Sequence, residues 1–502
     1  MWQAALTMGK SDNKSSRHLE VERKFDVDES TVSPSFDGLS SVVRVERSPA
    51  HRLEAVYFDT PDHDLAARRI TLRRRTGGPD EGWHLKLPAG PDARTEVTEP
   101  LGGTDVPESL RDIVLAIVRD RPLRPVARIS TQRTVNMLYG SDGTPLAEFC
   151  DDHVSASAEP GGPEQGWREW ELELADSLAD TADRELLDRL SNRLLDAGAV
   201  RAASGSKLAR VLAESGEQET HPRPADPVHR AVAEQVDELI EWDRAVRADV
   251  WDSVHQMRVT TRKIRSLLQS SQAAFGISDD AWVLDELRQL AAILGVARDA
   301  EVLAERYEEA LDELPAELVR GPVRERLVDG AKRRYEAGLR RSLVAMRSQR
   351  YFRLLDALEG LVAAEPAPQH DEGRGHPGID AAYKRVRKAA KAAAGAGADA
   401  DKDEALHRIR KGAKRLRYTA AATGAAKVSD RAKTIQSLLG DHQDSVVSRT
   451  HLGQQAEVAH AAGEDTFTYG LLYRLEEELA QRSREQLDDA LKKLAKAVRK
   501  AR

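Results

Sequence analysis

The stretch LEVERKF, residues 19–25, decides the fold of the first part of the chain. Side chains along a β-strand point alternately to its two faces. Glu20, Glu22 and Lys24 therefore share one face, and three apolar side chains share the other. Such a strand belongs either to a sheet with one solvated face or to a closed sheet whose interior is charged.

The same alternation recurs in four other short segments. The charged residues that share a face are Glu169, Glu171 and Glu173 in WREWELEL, Arg73 and Arg75 in TLRRR, His84 and Lys86 in HLK, and Arg94 and Glu96 in RTE. A half-exposed sheet, whose opposite charges pair across strands, would explain any one of them. Five such strands favour closure into a lumen lined by both charges. Carboxylates bind divalent cations and basic groups bind phosphate oxygens, so this lumen suits a metal-bound polyphosphate.

An ordered series of motifs over about residues 18–212 resembles the CYTH superfamily, the triphosphate tunnel metalloenzymes. The series consists of ExExK at 20–24, YFDT at 57–60, the LRRR arginines, the LKLP lysine, Arg94 with Glu96, Arg133, the acidic stretch 148–152, the ELEL glutamates and Lys207 in SGSKLARVL. The resemblance implies an eight-stranded antiparallel tunnel that binds triphosphate-containing substrates with Mg²⁺ or Mn²⁺. Members of the family include inorganic and thiamine triphosphatases, class IV adenylyl cyclases and RNA triphosphatases.

The resemblance also assigns roles by position. It implies that phosphates are bound by Arg73, Arg75, Lys86, Arg94, Arg133 and Lys207, and that Lys24 lies near the scissile end with Glu20 and Glu22. It implies metal binding by Glu20, Glu22, Glu96, Asp151, Asp152, Glu171 and Glu173. Asp151 and Asp152 point to opposite faces of a strand, and the sequence leaves open which of them enters the lumen.

From residue 228 onward the apolar residues recur at helical spacing, and one unit occurs twice. HQMRVTTRKIR (255–265) and HRIRKGAKRLR (407–417) carry basic residues three, seven, eight and ten positions after the histidine. Positions zero, three, seven and ten lie along one helix face. We call these faces the first and second basic stripes; they consist of His255, Arg258, Arg262 and Arg265, and of His407, Arg410, Lys414 and Arg417. LGVARD (294–299) and LGDHQD (439–444) repeat in the same way.

A solvated basic face would explain one such helix. Two copies with matching offsets favour a polyanionic ligand, because like charges on adjacent turns repel each other. The paired motifs resemble the CHAD domain over about residues 228–502. That resemblance implies a helical bundle of two pseudo-symmetric halves that binds inorganic polyphosphate through the stripe residues. CHAD domains often follow CYTH domains in bacterial proteins.

The predicted fold class is a multidomain α+β protein, with an antiparallel eight-stranded tunnel and flanking helices followed by an all-α bundle. The predicted boundaries are a disordered leader at 1–17, the tunnel domain at 18–213, a linker at 214–227 rich in proline, and the helical domain at 228–502 with halves at 228–364 and 379–502. Within the tunnel domain, helical spacing predicts two helices, over 107–118 and 183–197.

Composition narrows the class of protein. A single cysteine, Cys150, excludes an intramolecular disulfide and a multi-thiolate zinc site, which indicates a reduced, cytoplasmic setting. No apolar run reaches the roughly 20 residues of a membrane span, and the N-terminus has no secretion signal pattern. Nucleic acid is a poorer ligand than polyphosphate, because the net charge is -8 and the basic helices lack interleaved aromatic residues. Common nucleotide, hydrolase and zinc motifs are absent from the sequence.

The sequence therefore predicts metal-dependent hydrolysis of inorganic triphosphate or short polyphosphate in the tunnel. The helical domain would bind longer polyphosphate, which extends the predicted location to polyphosphate granules. Two alternatives stay open: a polyphosphate-binding adaptor without turnover, and a tunnel that acts on an organic triphosphate such as thiamine triphosphate or ATP. The sequence leaves substrate choice, metal preference and oligomeric state open.

Overall fold

The computed structural model describes residues 16–39, 41–179, 183–214, 224–278, 280–364, 379–395, 399–422 and 424–501. Most of the predicted leader, the middle of the predicted linker and the break between the two helical halves lie outside these ranges. Ser16 and Arg17, predicted as leader, are the first residues of a strand. The chain forms two compact units. The first contains residues 1–270, 280–287 and 343–365, and the second contains 271–279, 288–342 and 366–502.

All strands of the described chain lie in the first unit. They are β1 (Ser16–Val27), β2 (Arg44–Arg47), β3 (His51–Asp59), β4 (Thr71–Thr76), β5 (Gly82–Gly90), β6 (Ala93–Glu99), β7 (Arg124–Tyr139), β8 (Pro145–Ala158), β9 (Gln165–Leu174) and β10 (Val200–Arg201).

The α-helices occur in both units. They are α1 (Asp64–Ala67), α2 (Glu108–Ile113), α3 (Leu115–Val118), α4 (Asp176–Ala179), α5 (Arg184–Asp196), α6 (Lys207–Glu214), α7 (Pro227–Arg247), α8 (Ser253–Ser270), α9 (Gln272–Phe275), α10 (Trp282–Asp312), α11 (Gly330–Met346), α12 (Gln349–Ala363), α13 (Ile379–Ala394), α14 (Asp399–Ala422), α15 (Ala426–Ala461) and α16 (Phe467–Lys500). None of these helices combines the length and hydropathy that a membrane span needs.

Eight antiparallel strands close into a barrel. Their order is β1-β6-β5-β4-β3-β7-β8-β9, and β9 pairs with β1 again through partners such as Glu22 with Glu173 and Phe25 with Trp170. The short strands β2 and β10 pair with β7 and β1 outside this circuit. The closed antiparallel tunnel predicted from the alternating charges is therefore confirmed.

The outer face of the barrel carries the apolar half of the alternation. Phe25, Trp170 and Leu172 are completely buried there and pack with Leu190 and Leu194 of α5. Burial of an aromatic or leucine side chain stabilises a fold by about 1.5–3 kcal/mol, so this face supplies stability that the charged interior does not. The helix α5 begins where the sequence predicts, because the Asp183 carboxylate accepts a hydrogen bond from the backbone N–H of Leu186 at 3.0 Å.

The helix α6 closes one end of the barrel. Its residues Leu208, Val211 and Leu212 are buried. They pack against interior side chains at the start of β7, the end of β8 and the start of β9, and Ile129 and Trp167 are two of these side chains. This end of the lumen is thus apolar. Lys207, the first residue of α6, lies at the border between the apolar end and the charged interior.

Ion pairs join the barrel region to helices that follow the linker. The Arg119 guanidinium, only 3% exposed, contacts Asp356 and Glu359 of α12. Arg247 of α7 lies 3.0 Å from an oxygen of Asp112. The Asp356 carboxylate is 58% exposed, so each of these ion pairs stabilises the contact by no more than about 1 kcal/mol. The barrel, α7, α8 and α12 lie in one compact unit, and the domain boundary at the linker stays a prediction.

We therefore expect a fragment ending near residue 219 to fold and to keep the tunnel chemistry, but with reduced stability. The cut removes both carboxylate partners of Arg119 and the α7 partner of Asp112. Chemical unfolding of the fragment and of the full chain, followed by a tunnel-specific signal, should show a loss of about 1–3 kcal/mol in the fragment. Equal stability would mean that these ion pairs contribute nothing, and a fragment that never folds would refute an independent tunnel domain.

The second unit is entirely helical within the described residues, as predicted. Its core includes Val386 of α13, Ile409 of α14, Ile435 of α15 and Leu494 of α16. Gly412 allows α13 and α14 to approach closely, because a Cβ atom at this position would lie 3.1 Å from the Val386 side chain.

Candidate functional site

The barrel interior brings carboxylates and cations from different strands into contact. The Lys24 ammonium lies 3.0 Å from Glu22 and also contacts Glu171 across the β1–β9 pair. Lys86 lies 2.5 Å from Glu20. The predicted site residues that the structure places in this lumen are Glu20, Glu22, Lys24, Arg73, Arg75, Lys86, Arg94, Glu96, Arg133, Asp152, Glu171, Glu173 and Lys207.

The structure separates the two adjacent aspartates of β8. Asp152 is fully buried and accepts hydrogen bonds from Arg133 Nε at 2.8 Å and Nη2 at 2.6 Å. Asp151 lies on the other side of the barrel wall, where Arg168 donates to both of its oxygens at 2.8 and 2.7 Å. Ser33 also donates to Asp151 at 2.6 Å. We therefore remove Asp151 from the proposed metal-ligand set, because its oxygens are held by a guanidinium outside the lumen.

Two groups of side chains have the donor atoms that a hard divalent cation needs. One group is Asp152, Glu169 and Glu171, and the other is His18, Glu20 and Glu96; in each, the potential ligand atoms lie within 4.8 Å of one another. Carboxylate oxygens suit Mg²⁺ and Mn²⁺, and an imidazole suits Mn²⁺ better than Mg²⁺. The residues present thus fit a divalent metal.

His18 and Glu169 are absent from the residues predicted as ligands, although the strand alternation could have identified both. His18 lies two residues before Glu20, and Glu169 lies two residues before Glu171, so each shares a face with a predicted ligand. His18 Nε2 lies 3.5 Å from Glu20 and 3.4 Å from Glu96.

The carboxylates in the lumen have different electrostatic surroundings. Burial raises the pKa of Glu173 to about 8, and the neighbouring carboxylates Glu20 and Glu22 add to this shift. Burial also opposes ionisation of Glu22, but Lys24 and Lys86 outweigh burial and lower the pKa of Glu22 to about 2. The carboxylates around Glu173 therefore outnumber the lysines near them. A divalent cation bound there would stabilise the ionised form of Glu173.

A narrow cavity next to these carboxylates is lined by cations. Arg73, Arg75, Arg133 and Lys207 border it together with Tyr57. The Nε atoms of Arg73 and Arg75 are buried donors without an acceptor in the described part of the chain. Burial lowers the pKa of Arg75 to about 9, and the like charges of Arg73 and Arg133 add to this effect. Buried donors of this kind are normally satisfied, so the cavity suits phosphate oxygens.

Tyr57 is a lumen residue to which the sequence assigns no role, although it begins the YFDT motif. Its hydroxyl accepts a hydrogen bond from Arg73 Nη1 at 3.4 Å. Arg94, in contrast, donates to the backbone oxygen of Gly205 at 2.6 Å and lies 3.6 Å from Glu22. This guanidinium therefore links β6 to the loop before α6.

The two basic stripes occupy equivalent places on their helices. The buried residues of α8 include Val254, Met257, Thr261, Ile264 and Leu268, and those of α14 include Leu406, Ile409, Ala413, Leu416 and Ala420. Measured from the motif histidine, both sets have offsets of minus one, two, six, nine and thirteen. Each stripe thus borders the buried face of its helix in the same way, which supports duplication of one structural unit.

The stripe residues also contact the second repeated motif and the neighbouring backbone. The Arg410 guanidinium packs against Gly440 of LGDHQD. A Cβ atom on Gly440 would lie 3.5 Å from Nη2 of Arg410. Asp444 of the same motif is also close enough to Arg410 to be stabilised by its charge, although burial raises the pKa of Asp444. In the first stripe, Arg265 donates to the backbone oxygen of Leu284 at 3.2 Å. The second stripe is therefore partly neutralised by a neighbouring helix.

Comparisons with known proteins agree with both halves of the chain. A family model of the CYTH domain matches residues 18–201, and a model of the CHAD domain matches residues 230–453. The Mycobacterium tuberculosis proteins MT2285 (strain CDC 1551) and Rv2226 (strain H37Rv) are each 66% identical over 504 aligned positions, which cover 97% of this chain and 98% of the relative.

Solved structures resemble parts of the chain. PptA from Streptomyces chartreusis aligns with a TM-score of 0.43 and 20% identity over 53% of this chain and 98% of its own. The CHAD domain from Ricinus communis aligns with a TM-score of 0.40 and 22% identity over 53% of this chain and 90% of its own. Family membership rests on the two domain matches and the M. tuberculosis relatives: the chain belongs to the proteins in which a CYTH triphosphate-tunnel domain is followed by a CHAD domain.

Proposed function

We propose that the tunnel hydrolyses inorganic triphosphate or short polyphosphate with Mg²⁺ or Mn²⁺, and that the helical region binds longer polyphosphate. One observation carries the catalytic part: carboxylates that fit a divalent cation adjoin a cavity of four cations, and Arg73 and Arg75 each have a buried donor there that no described residue accepts. A triphosphate offers both the oxygens that these donors lack and the charge that a metal binds. Membership of the CYTH family, which includes triphosphatases and cyclases, supports phosphoryl-transfer chemistry.

The side chains of the lumen have separable roles in this proposal. The metal would be held by Asp152, Glu169 and Glu171 or by His18, Glu20 and Glu96, and Glu22 and Glu173 stay proposed ligands. When bound, a divalent cation neutralises charge on the triphosphate and on the transition state.

Arg73, Arg75 and Arg133 would donate to phosphate oxygens and fix the chain of phosphates along the lumen, which lowers the entropy cost of reaching the reactive geometry. Lys24, held between Glu22 and Glu171, would lie near the scissile phosphate. Lys86 and Arg94 would bind phosphate oxygens farther from the cavity.

The polyphosphate part of the proposal is supported by the equivalent placement of the two stripes. In each stripe the basic residues lie beside the buried face of their helix. Packing therefore fixes their positions more firmly than it would fix side chains on the fully exposed face. Binding of long polyphosphate would also bring the protein to polyphosphate granules in the cytoplasm.

An organic triphosphate is the second candidate substrate. Leu53, Ala55 and Ile129 line the same cavity as the four cations and would contact an organic group once the cavity, about 20 Å³ in this structure, widens. Thiamine triphosphate or ATP would use these contacts, whereas inorganic triphosphate would not.

A substrate panel on the full chain tests the proposal. Phosphate release would be measured from tripolyphosphate, polyphosphate, ATP and thiamine triphosphate, each with Mg²⁺, with Mn²⁺ and with EDTA. We expect metal-dependent release from tripolyphosphate to exceed that from either organic substrate at least tenfold in kcat/KM. A preference for an organic triphosphate would favour the second candidate. Binding of tripolyphosphate without release from any substrate would indicate the adaptor.

A further inference from the structure

The Lys207 ammonium lies among three carboxylates that together could hold a metal. Its Nζ atom is 2.9 Å from Asp152, 2.8 Å from Glu169 and 2.7 Å from Glu171, and its side chain is only 8% exposed. These three residues are one of the two groups whose ligand atoms lie within 4.8 Å of one another. A cation bound through the three oxygens that Lys207 contacts would take the position of its ammonium group.

A divalent cation and this ammonium cannot share the three oxygens. A divalent metal such as Mg²⁺ lies about 2.0–2.1 Å from each of its oxygen ligands, so a metal bound through these three oxygens would need the place at their centre that the ammonium now fills. The two positive centres would also repel each other strongly in a buried site. Metal binding at this group therefore requires that the Lys207 side chain move.

The structure offers Lys207 a second position. The same side chain borders the cavity lined by Arg73, Arg75 and Arg133, beside the unused donors of the two β4 arginines. Its backbone is held at the first turn of α6, whose Leu208, Val211 and Leu212 are buried. A flexible four-carbon side chain on a fixed backbone can exchange one set of oxygens for another without movement of the helix.

We propose that Lys207 is a tethered counter-ion of the metal site, which a divalent cation displaces from Asp152, Glu169 and Glu171 toward the phosphate cavity. The inference rests on the proposed function, because it takes these carboxylates as metal ligands. It assigns Lys207 two successive partners: carboxylates before the metal binds, and phosphate oxygens afterwards. Metal binding would then raise the affinity for the anionic substrate, and linkage makes this effect reciprocal.

Manganese binding without any phosphate tests the proposal on the full chain. We expect Lys207→Met to bind Mn²⁺ at least tenfold more tightly than the unmodified protein in calorimetric titration or by electron paramagnetic resonance of free Mn²⁺. Arg210→Met is the matched control, because it removes one positive charge from the same helix but pairs with Asp26 instead of the three carboxylates. It should change the Mn²⁺ affinity less than twofold.

A second measurement uses the unmodified protein and does not depend on how well the variant folds. The rate of reductive methylation of Lys207, followed by mass spectrometry, should rise several-fold on addition of Mn²⁺ alone, while exposed Lys433 should react at an unchanged rate.

The outcomes separate the two proposals. If the unmodified protein binds Mn²⁺ but Lys207→Met binds it no more tightly, or if the methylation rate of Lys207 does not change, the counter-ion role is refuted and the proposed metal dependence stands. If neither protein binds Mn²⁺ or Mg²⁺, the metal site itself fails, and the counter-ion role fails with it.

Discussion

Replacement of Glu171 and Glu173 by glutamine should lower metal-dependent phosphate release from tripolyphosphate at least 1,000-fold, which corresponds to about 4 kcal/mol of transition-state stabilisation. Glu171 is one of the three carboxylates that fit a metal, and it also contacts the cations Lys24, Arg133 and Lys207. Glutamine preserves the size of both side chains and removes the charge of Glu171, whose pKa, despite burial, the neighbouring cations Lys207, Lys24 and Arg133 lower, so both metal affinity and the alignment of these cations should decline. Steady-state phosphate release with each metal measures the effect.

The double variant should still fold. Trp170 and Leu172, the neighbours of Glu171 in the chain, pack on the opposite face with α5 and are unchanged. Three cations lose one charged partner, and we expect a lower unfolding free energy by a few kcal/mol in chemical denaturation. Glu54→Gln is a matched control, because Glu54 is half exposed on the outside of β3, and its activity should equal that of the unmodified protein. A folded double variant with normal turnover would contradict the assignment of the lumen as the catalytic site.

In each basic stripe, three basic residues follow the histidine. Alanine in place of the three residues of either stripe should weaken the binding of long polyphosphate about 100-fold. The two triple variants are Arg258, Arg262 and Arg265 to alanine, and Arg410, Lys414 and Arg417 to alanine. About 1 kcal/mol for each charged contact accounts for this loss. The dependence of the affinity on salt should also become less steep, because fewer counter-ions are released when fewer cations bind phosphates. Titration with long polyphosphate and with tripolyphosphate at two salt concentrations measures both effects.

The helix α14 contains its own control. Arg408, Lys411 and Arg415 are exposed on another face of the same helix, so their replacement by alanine removes the same charge without touching the stripe. We expect less than a fivefold loss of affinity in this variant. Tripolyphosphate held in the tunnel should bind almost equally well to all three variants. Equal losses from stripe and control variants would mean that only net charge matters and that the stripes are solvated surface.

Strand alternation was sufficient to predict most of the lumen. Charges at every second position of β1, β4, β5, β6 and β9 fix their common face once the sheet closes, because the period of a strand is two residues. The same rule could not separate Asp151 from Asp152, since either aspartate alone satisfies it. The separation depends on Arg168 and Ser33, which hold Asp151 from outside and lie far from it in sequence.

The packing of α7 and α12 with the barrel region could not be predicted in this way. Arg119, whose positive φ of 57° is uncommon for a residue other than glycine, reaches carboxylates more than 230 positions away in the chain. A local pattern carries no information about such a partner. The proline-rich linker therefore marked a change in composition correctly but did not predict which helices share a compact unit with the barrel.

The closed circuit of eight strands has a consequence for substitutions in the lumen. Outward positions such as Phe25 and Trp170 supply the packing of the barrel, whereas the inward positions between them supply its charged interior. Because the two sets alternate along the same strands, an inward substitution can alter the ligand without disturbing the packing that keeps the barrel closed. We therefore expect that a few interior substitutions can change the preferred phosphate compound while the outer wall keeps its packing.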